Sequence, residues 1–203
     1  MKTQKYSLET IRHSLAHIMA LAVLRVYDGY QVNFGIGPQT ENGFFYDFEI
    51  LDKNKRIRIN AEDLPKIEEA MKKIIQEGLP FKKKKISLKE AKKFFQKINQ
   101  PYKLEILKSL EKEKIKEVSL YQTGEFVDLC RGPHIKNTKE APLSFKLVKV
   151  SGAYFQGKET NPMLDRVEGL AFLTEKELEQ YLYQLAEAEK RDHRVLGAQL
   201  KLF

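Results

Sequence analysis

Segments with helical periodicity alternate with short, strand-like apolar runs along the whole chain. Ser7 is a typical helix N-cap residue, and the apolar residues after it recur three or four positions apart as far as about Tyr27, which predicts a helix. Strands are predicted near residues 43–50, 143–150 and 163–173. Because both helices and hairpins connect the strands, the pattern predicts the α+β class with a mainly antiparallel sheet packed with helices.

Capping sequences place two of the other helices. Ser87 and Glu90 form a capping box at the start of one helix, and Thr174 and Glu177 form another at the start of a long C-terminal helix. The remaining predicted elements are helices at 63–77 and 87–98, strands at 80–86 and 102–107, and a hairpin of strands 118–122 and 125–129.

The C-terminal helix is still periodic at Leu200 when the sequence stops at Phe203, with no Gly, Pro or cap after it. We therefore expect a piece of a longer protein. The 203 residues suffice for one domain with a buried core. The predicted organisation is one domain at 1–173 followed by a linker helix at 174–203.

Positive charge is concentrated in one segment. The net charge is +8, and residues 82–116 alone hold 13 Lys and 4 Glu, a net of +9, so the rest of the chain sums to −1. Such a segment is typical of a surface that meets phosphate, but also of a solvated lysine-rich face. Charge alone leaves both interpretations open.

Cysteine content and hydropathy indicate the compartment. Cys130 is the only cysteine, which fits a reducing environment and excludes an intrachain disulfide. No apolar run approaches the ~20 residues of a membrane span. We expect a cytoplasmic protein with no membrane partner.

The strongest chemical signal is a pair of His/Cys motifs. His13 and His17 lie one helical turn apart, and Cys130 and His134 flank a Gly-Pro turn that can aim both side chains in one direction. Three chemistries suit these four residues: a tetrahedral zinc site, metal-free hydrolysis with histidines moving protons, or a Cys130–His134 nucleophile pair.

Other candidates lie near these motifs in the sequence. Asp128 is two residues before Cys130, so both would face the same side of a strand. Lys103 lies on the predicted strand 102–107, where an outward lysine is the usual case. Gly37 and Pro38 belong to a loop that could approach a ligand, and Tyr46 is a candidate for stacking on a base, although core packing is expected for at least two of the three aromatic residues at 44–46.

These residues resemble a known family, the bacterial-type threonyl-tRNA synthetases, in their N-terminal editing domain and linker helix. The likeness spans nearly all of residues 8–203, and the two His/Cys motifs are shared with alanyl-tRNA editing domains. It is carried by RHSLAH at 12–17, GIGPQTENGFFYDF, PYKLEIL, FVDLCRGPH, GAYFQGKETNPMLDRVEGLAF and EAEKRDHRVLGAQL.

The resemblance implies proofreading, which is hydrolysis of the ester that links serine to the 3′ end of tRNA(Thr). It implies that Lys103 helps to activate or orient the attacking water and that Asp128 lies near the substrate's amino group. It also implies that Gly37 and Pro38 lie by the terminal adenosine. The pocket would be lined by His13, His17, Cys130 and His134.

The resemblance also bears on cofactors and partners. Alanyl relatives hold zinc on the four residues that correspond to His13, His17, Cys130 and His134, whereas threonyl editing domains act without it, so we expect no cofactor. The small N-terminal domain of many relatives and the aminoacylation domain have no counterpart in this sequence, so we expect no aminoacylation by this chain alone. The expected partners are the tRNA and the rest of the synthetase. Two alternatives remain, a zinc-binding alanyl-type editing protein and a non-catalytic tRNA-binding module.

Overall fold

The computed structural model describes residues 5–199, and the α+β class is confirmed. Its elements follow the chain as five helices and eight strands within that range. The helices are α1 (Leu8–Val26), α2 (Leu64–Glu77), α3 (Leu88–Lys97), α4 (Pro101–Lys112) and α5 (Glu175–Gln199). The strands are β1 (Gln31–Phe34), β2 (Gly43–Asp52), β3 (Lys55–Ile57), β4 (Lys82–Ser87), β5 (Glu117–Thr123), β6 (Phe126–Leu129), β7 (Phe145–Tyr154) and β8 (Met163–Ala171).

The larger sheet is antiparallel and has the order β1-β2-β8-β7, with β3 paired to β2. Successive side chains of a strand point to opposite faces, and in β2 alternate residues fill the core. Phe44, Tyr46, Phe48 and Ile50 are each at most 1% exposed. Helices α1 and α2 cover this face, so the sheet supplies one wall of the main core.

The second sheet is smaller and contains β4, β5 and β6 in that order, again antiparallel. Helices α3 and α4 pack on one of its faces through a separate core cluster that includes Phe95, Leu107 and Leu120. The capping box predicted at Ser87 and Glu90 is formed, with each side chain bonded to the other residue's backbone. The lysine-rich segment therefore begins on an edge strand and continues through two surface helices.

Helix α1 is buried on nearly all sides rather than along one face. Ser7 caps it by accepting a hydrogen bond from the Thr10 amide at 3.2 Å. From Leu15 to Val23 every residue is buried, because the large sheet, α2 and the small sheet surround the helix. This position makes α1 the element that carries His13 and His17 into the interior.

The prediction of a strand at 102–107 is wrong, because these residues belong to α4. Pro101 occupies the first turn of this helix, where its missing N–H costs nothing, so it starts a helix rather than interrupting a strand. Lys103 consequently points inward and is 3% exposed, in contrast to the outward orientation expected of an edge strand. The short strands β1 and β3 were not predicted at all.

Helix α5 begins with the predicted capping box, in which Thr174 and Glu177 exchange hydrogen bonds at 3.0 and 3.2 Å. Leu178 is buried and the Tyr181 hydroxyl accepts a hydrogen bond from Asn42, so the first turns pack on the domain. The predicted periodicity at Leu200 and the end at Phe203 lie outside the described residues. The role of α5 as a linker and the boundary at 173–174 stay predictions.

Among residues 5–199, no helix combines the length and the apolar character needed to cross a bilayer.

Two neighbouring residues of α2 should contribute differently to the free energy of unfolding, because only one of them packs in the core. Ile67 is fully buried, so Ile67→Ala should lower the free energy of unfolding by about 2–5 kcal/mol through lost burial and a cavity. The adjacent Lys66 is exposed, and Lys66→Ala should change it by less than about 0.5 kcal/mol. Urea denaturation measures both values, and equal effects would contradict this packing.

Candidate active site

Most of the predicted site residues meet at one cavity of about 480 Å³ between α1, α4, the end of β6 and the loop after β1. It is lined by His13, His17, Gly37, Pro38, Lys103, Asp128 and Cys130, among others. His134 and Tyr46 do not line the cavity but stand directly behind residues that do. Seven of the nine candidates therefore line one cavity, and the other two lie one layer deeper.

A buried ion pair forms one wall of the cavity. Lys103 and Asp128 are 3% and 4% exposed, and the Lys103 Nζ contacts Asp128 Oδ1. The same Nζ donates to the Gly35 carbonyl at 2.7 Å and to the Tyr46 hydroxyl at 3.0 Å. Two hydrogen-bond acceptors and one carboxylate therefore surround the Lys103 ammonium group and hold it in place.

Tyr46 completes this network from beneath. Its hydroxyl donates to Asp128 Oδ2 at 2.6 Å, and burial raises the pKa of the phenol well above its usual value, so it remains protonated. Its ring is 0% exposed and packs under Gly37, where an added Cβ would lie 2.0 Å from the ring. The prediction that Tyr46 stacks on a base is therefore wrong, because the ring supports the Gly37–Pro38 loop from inside.

The second wall is the His/Cys cluster. Cys130 Sγ lies 3.3 Å from His13 Nε2 and 3.2 Å from His134 Nε2. The His17 Nε2 lies 3.6 Å from Asp128 Oδ2, which connects the cluster to the ion pair. Gly132 makes the turn between Cys130 and His134, with φ +76° and no room for a Cβ against the Tyr121 hydroxyl.

Ser14 determines the tautomer of His134. Its hydroxyl donates to the Thr10 carbonyl at 2.7 Å and accepts from the Ile135 amide at 3.0 Å. The hydroxyl has only one proton, so the 3.2 Å contact with His134 Nδ1 requires the ring nitrogen to be the donor. The lone pair of His134 is then on Nε2 and faces Cys130.

Burial keeps the cluster uncharged near neutral pH. Desolvation lowers the pKa of His13, although the nearby Asp128 charge opposes the shift. Desolvation also lowers the pKa of His134 and that of His17. The Cys130 thiol has its pKa raised to about 11, again mainly by desolvation. A thiol so seldom ionised is a poor nucleophile, which argues against the Cys130–His134 nucleophile pair.

The same four residues could hold a metal ion. One donor atom from each of His13, His17, Cys130 and His134 lies within 4.8 Å of every other. A tetrahedral zinc site, with Zn–S of about 2.3 Å and Zn–N of about 2.0 Å, separates S and N by roughly 3.5 Å. The two Cys–His distances of 3.2 and 3.3 Å are near that value, and His17 Nδ1 is buried without a hydrogen-bond partner. The donor set fits zinc in type and approximate spacing.

Several residues that shape the site were missed. Phe81 stacks on the His134 ring at 5.1 Å, Tyr121 meets that ring edge-on at 4.5 Å, and Ser14 fixes its tautomer. These contacts join distant parts of the chain and leave no local pattern. Arg131 lines the cavity and is exposed, and its place between Cys130 and the Gly-Pro turn was the available signal.

The hydroxyl of Tyr46 should contribute to stability in proportion to its burial. Tyr46→Phe removes the hydroxyl that donates to Asp128 and accepts from Lys103. Its loss should lower the free energy of unfolding by about 1–3 kcal/mol. Tyr30 is 44% exposed, and Tyr30→Phe is the matched control with little change expected. Thermal and urea unfolding compare the two, and equal losses would contradict the network.

Comparison with known proteins relates this site to a family. A model described as "Threonyl and Alanyl tRNA synthetase second additional domain" matches residues 118–168, the part that contains Asp128, Cys130 and His134. Threonine–tRNA ligase of Thermotoga maritima is 53% identical over 96% of this chain and 29% of its own length. The threonine–tRNA ligase of Sulfurihydrogenibium sp. is 52% identical over 100% of this chain and 30% of its own length. The enzyme of Aquifex aeolicus is 44% identical over 98% of this chain and 30% of its own length.

The chain spans about 30% of the length of these curated relatives. The matched residues run through both walls of the cavity, from α1 to β8. The chain is therefore similar over its whole length to one part of the threonine–tRNA ligases, and it contains a match to their second additional domain.

Proposed function

We propose that this chain is an aminoacyl-tRNA ester hydrolase that removes serine from mischarged tRNA(Thr). The observation that carries the proposal is the cavity of about 480 Å³. In it, the paired ammonium and carboxylate groups of Lys103 and Asp128 face uncharged histidines. That volume lies in the usual range of small-ligand sites, about 300–1,000 Å³. The similarity to threonine–tRNA ligases supplies the substrate class.

The need for such a site follows from the two amino acids. Serine lacks one methyl group of threonine, and one methyl group provides only ~1–3 kcal/mol of discrimination in a binding pocket. A synthetase that relied on one site would therefore attach serine to its tRNA at a harmful frequency. A second site that hydrolyses the wrong product corrects this error, with the tRNA and the rest of the synthetase as partners in the cytoplasm.

His13 is our candidate for the general base. It is half-buried, lines the cavity and is neutral near pH 7 because burial lowers its pKa, so a ring nitrogen can accept a proton from water. His17 and His134 are more deeply buried and orient the cluster. Water attacks the ester carbonyl carbon and gives a proton to His13. When the C–O bond breaks, the protonated His13 returns that proton to the leaving 3′ oxygen, which yields free serine and the 3′-hydroxyl of the tRNA.

Lys103 acts in this proposal as a charge and not as a base. Its ammonium group donates to the Gly35 carbonyl and the Tyr46 hydroxyl and is paired with Asp128, and an ammonium group has no lone pair for proton abstraction. A fixed positive charge in a buried site stabilises the oxyanion that forms when water adds to the carbonyl. Asp128 would receive the substrate's ammonium group only by sharing its oxygens with Lys103, so binding of the substrate should loosen that pair.

A zinc-dependent site is the second candidate, favoured by the donor set of His13, His17, Cys130 and His134. Zinc bound by all four would have a closed coordination sphere and would position groups, whereas three ligands would leave a place for water. Either way, bound zinc would replace the His–thiol hydrogen bonds and require Cys130 as thiolate.

Substitutions in the two walls test the roles. His13→Ala and Lys103→Ala should each lower the deacylation rate of seryl-tRNA by about 100-fold or more. Lys108 is on the same helix as Lys103 but is exposed, so Lys108→Ala should keep the rate. Single-turnover assays on folded variants measure this, and normal rates in both site variants would refute the roles assigned here.

The deacylation rate should depend on pH in the way expected when His13, with its lowered pKa, is the general base. His13 must be deprotonated, and its pKa lies below the usual 6.5, so the enzymatic rate should be level from about pH 9 to about pH 7 and fall at lower pH. A thiolate nucleophile would behave differently, because a Cys130 pKa of about 11 predicts a rate that climbs throughout this range. The rate after subtraction of spontaneous hydrolysis distinguishes the two.

Metal content separates the two candidate functions. The metal-free proposal predicts much less than one zinc per chain by elemental analysis and full activity after chelator treatment. About one zinc per chain that disappears in Cys130→Ser would support the zinc-dependent site instead. A module that only binds tRNA would show salt-sensitive binding and no deacylation in either preparation.

A further inference from the structure

A second cavity of about 340 Å³ adjoins the proposed active site on the far side of the Cys130–Arg131 turn. Both cavities share part of their walls, namely Ile106, Leu129, Cys130 and Arg131. We propose that this second cavity binds the penultimate nucleotide of the tRNA 3′ end, the cytidine that precedes the terminal adenosine. The inference rests on the proposed function and specifies how much of the tRNA the site recognises.

The shape and lining suit a base. Ile106 and Leu110 of α4 and Leu129 at the end of β6 give the cavity an apolar side, against which a flat ring can pack. Strand β6 ends at Leu129, whereas β5 extends beyond the residues that pair with β6. This leaves a gap along the uncovered edge of β5, and the second cavity lies there. A nucleotide attached to an adenosine in the first cavity would enter this gap past the Cys130–Arg131 turn.

The charged groups of the cavity suit a cytidine nucleotide. Lys85 and Arg131 are exposed at its rim, where they can meet a phosphate, and Glu117 can accept a hydrogen bond from the 4-amino group of cytosine. None of the three belongs to an ion pair among the described residues. All tRNAs end in CCA, so a cytidine is always next to the terminal adenosine.

Strand β4 supplies a matched control. Neighbouring residues of a strand point to opposite faces, so Lys85 lines the second cavity while Lys84 lines a different one, beside Phe94 and Leu120. Both lysines are exposed and carry the same charge. Loss of Lys84 therefore reports on general electrostatic attraction, whereas loss of Lys85 reports on the proposed subsite.

The test compares short substrates with the full chain. We expect kcat/KM for seryl-cytidylyl-adenosine to exceed that for seryl-adenosine by about tenfold, and that for seryl-uridylyl-adenosine to be several-fold lower than for the cytidine form. Lys85→Ala should reduce the advantage of the dinucleotide to about twofold or less. Glu117→Gln should abolish the preference for cytidine over uridine, because an amide can donate to the uracil 4-oxo group.

Equal kcat/KM values for the dinucleotide and seryl-adenosine would overturn the subsite, as would equal losses of that advantage in Lys84→Ala and Lys85→Ala. Activity on seryl-adenosine tests the proposed function separately. If no substrate is hydrolysed, the proposed function fails, and calorimetry with non-hydrolysable seryl-amide analogues decides the subsite. About tenfold tighter binding of the dinucleotide analogue, lost in Lys85→Ala, would support it, and equal affinities would refute it.

Discussion

Lys103 brings a positive charge into the interior, and its three polar partners come from three separate parts of the chain. They are the Gly35 carbonyl after β1, the Tyr46 hydroxyl on β2 and the Asp128 carboxylate on β6. A buried ion costs several kcal/mol unless it is paired and hydrogen-bonded, so loss of one partner destabilises strongly. The large sheet, the small sheet and α4 are thereby held in one arrangement, and the cavity forms where they meet.

Burial also separates the chemistry of the two walls. Lys103 and Asp128 are paired with each other and hydrogen-bonded to their neighbours, whereas desolvation lowers the pKa of the histidines and raises that of the Cys130 thiol. A positive charge and an uncharged proton acceptor are thus available at the same pH. Ester hydrolysis by water uses both, one at the oxyanion and the other at the attacking water.

The parts of the site that depend on local geometry were predictable from sequence. His13 and His17 share a helix face by their spacing, and Cys130 and His134 are brought together by a Gly-Pro turn. Lys103 was placed on a strand because Pro101 was interpreted as a break, although proline in the first turn favours a helix. Contacts such as that of Ser14 with His134 join residues 120 positions apart, so no local pattern reports them.

Selective removal of serine is tested most directly by measuring how fast this 203-residue chain deacylates seryl-tRNA(Thr) and threonyl-tRNA(Thr). We expect seryl-tRNA to lose its amino acid at least about 100-fold faster than without protein, while threonyl-tRNA is largely spared. Deacylation of neither substrate would contradict the proposed activity, and equal deacylation of both would contradict proofreading.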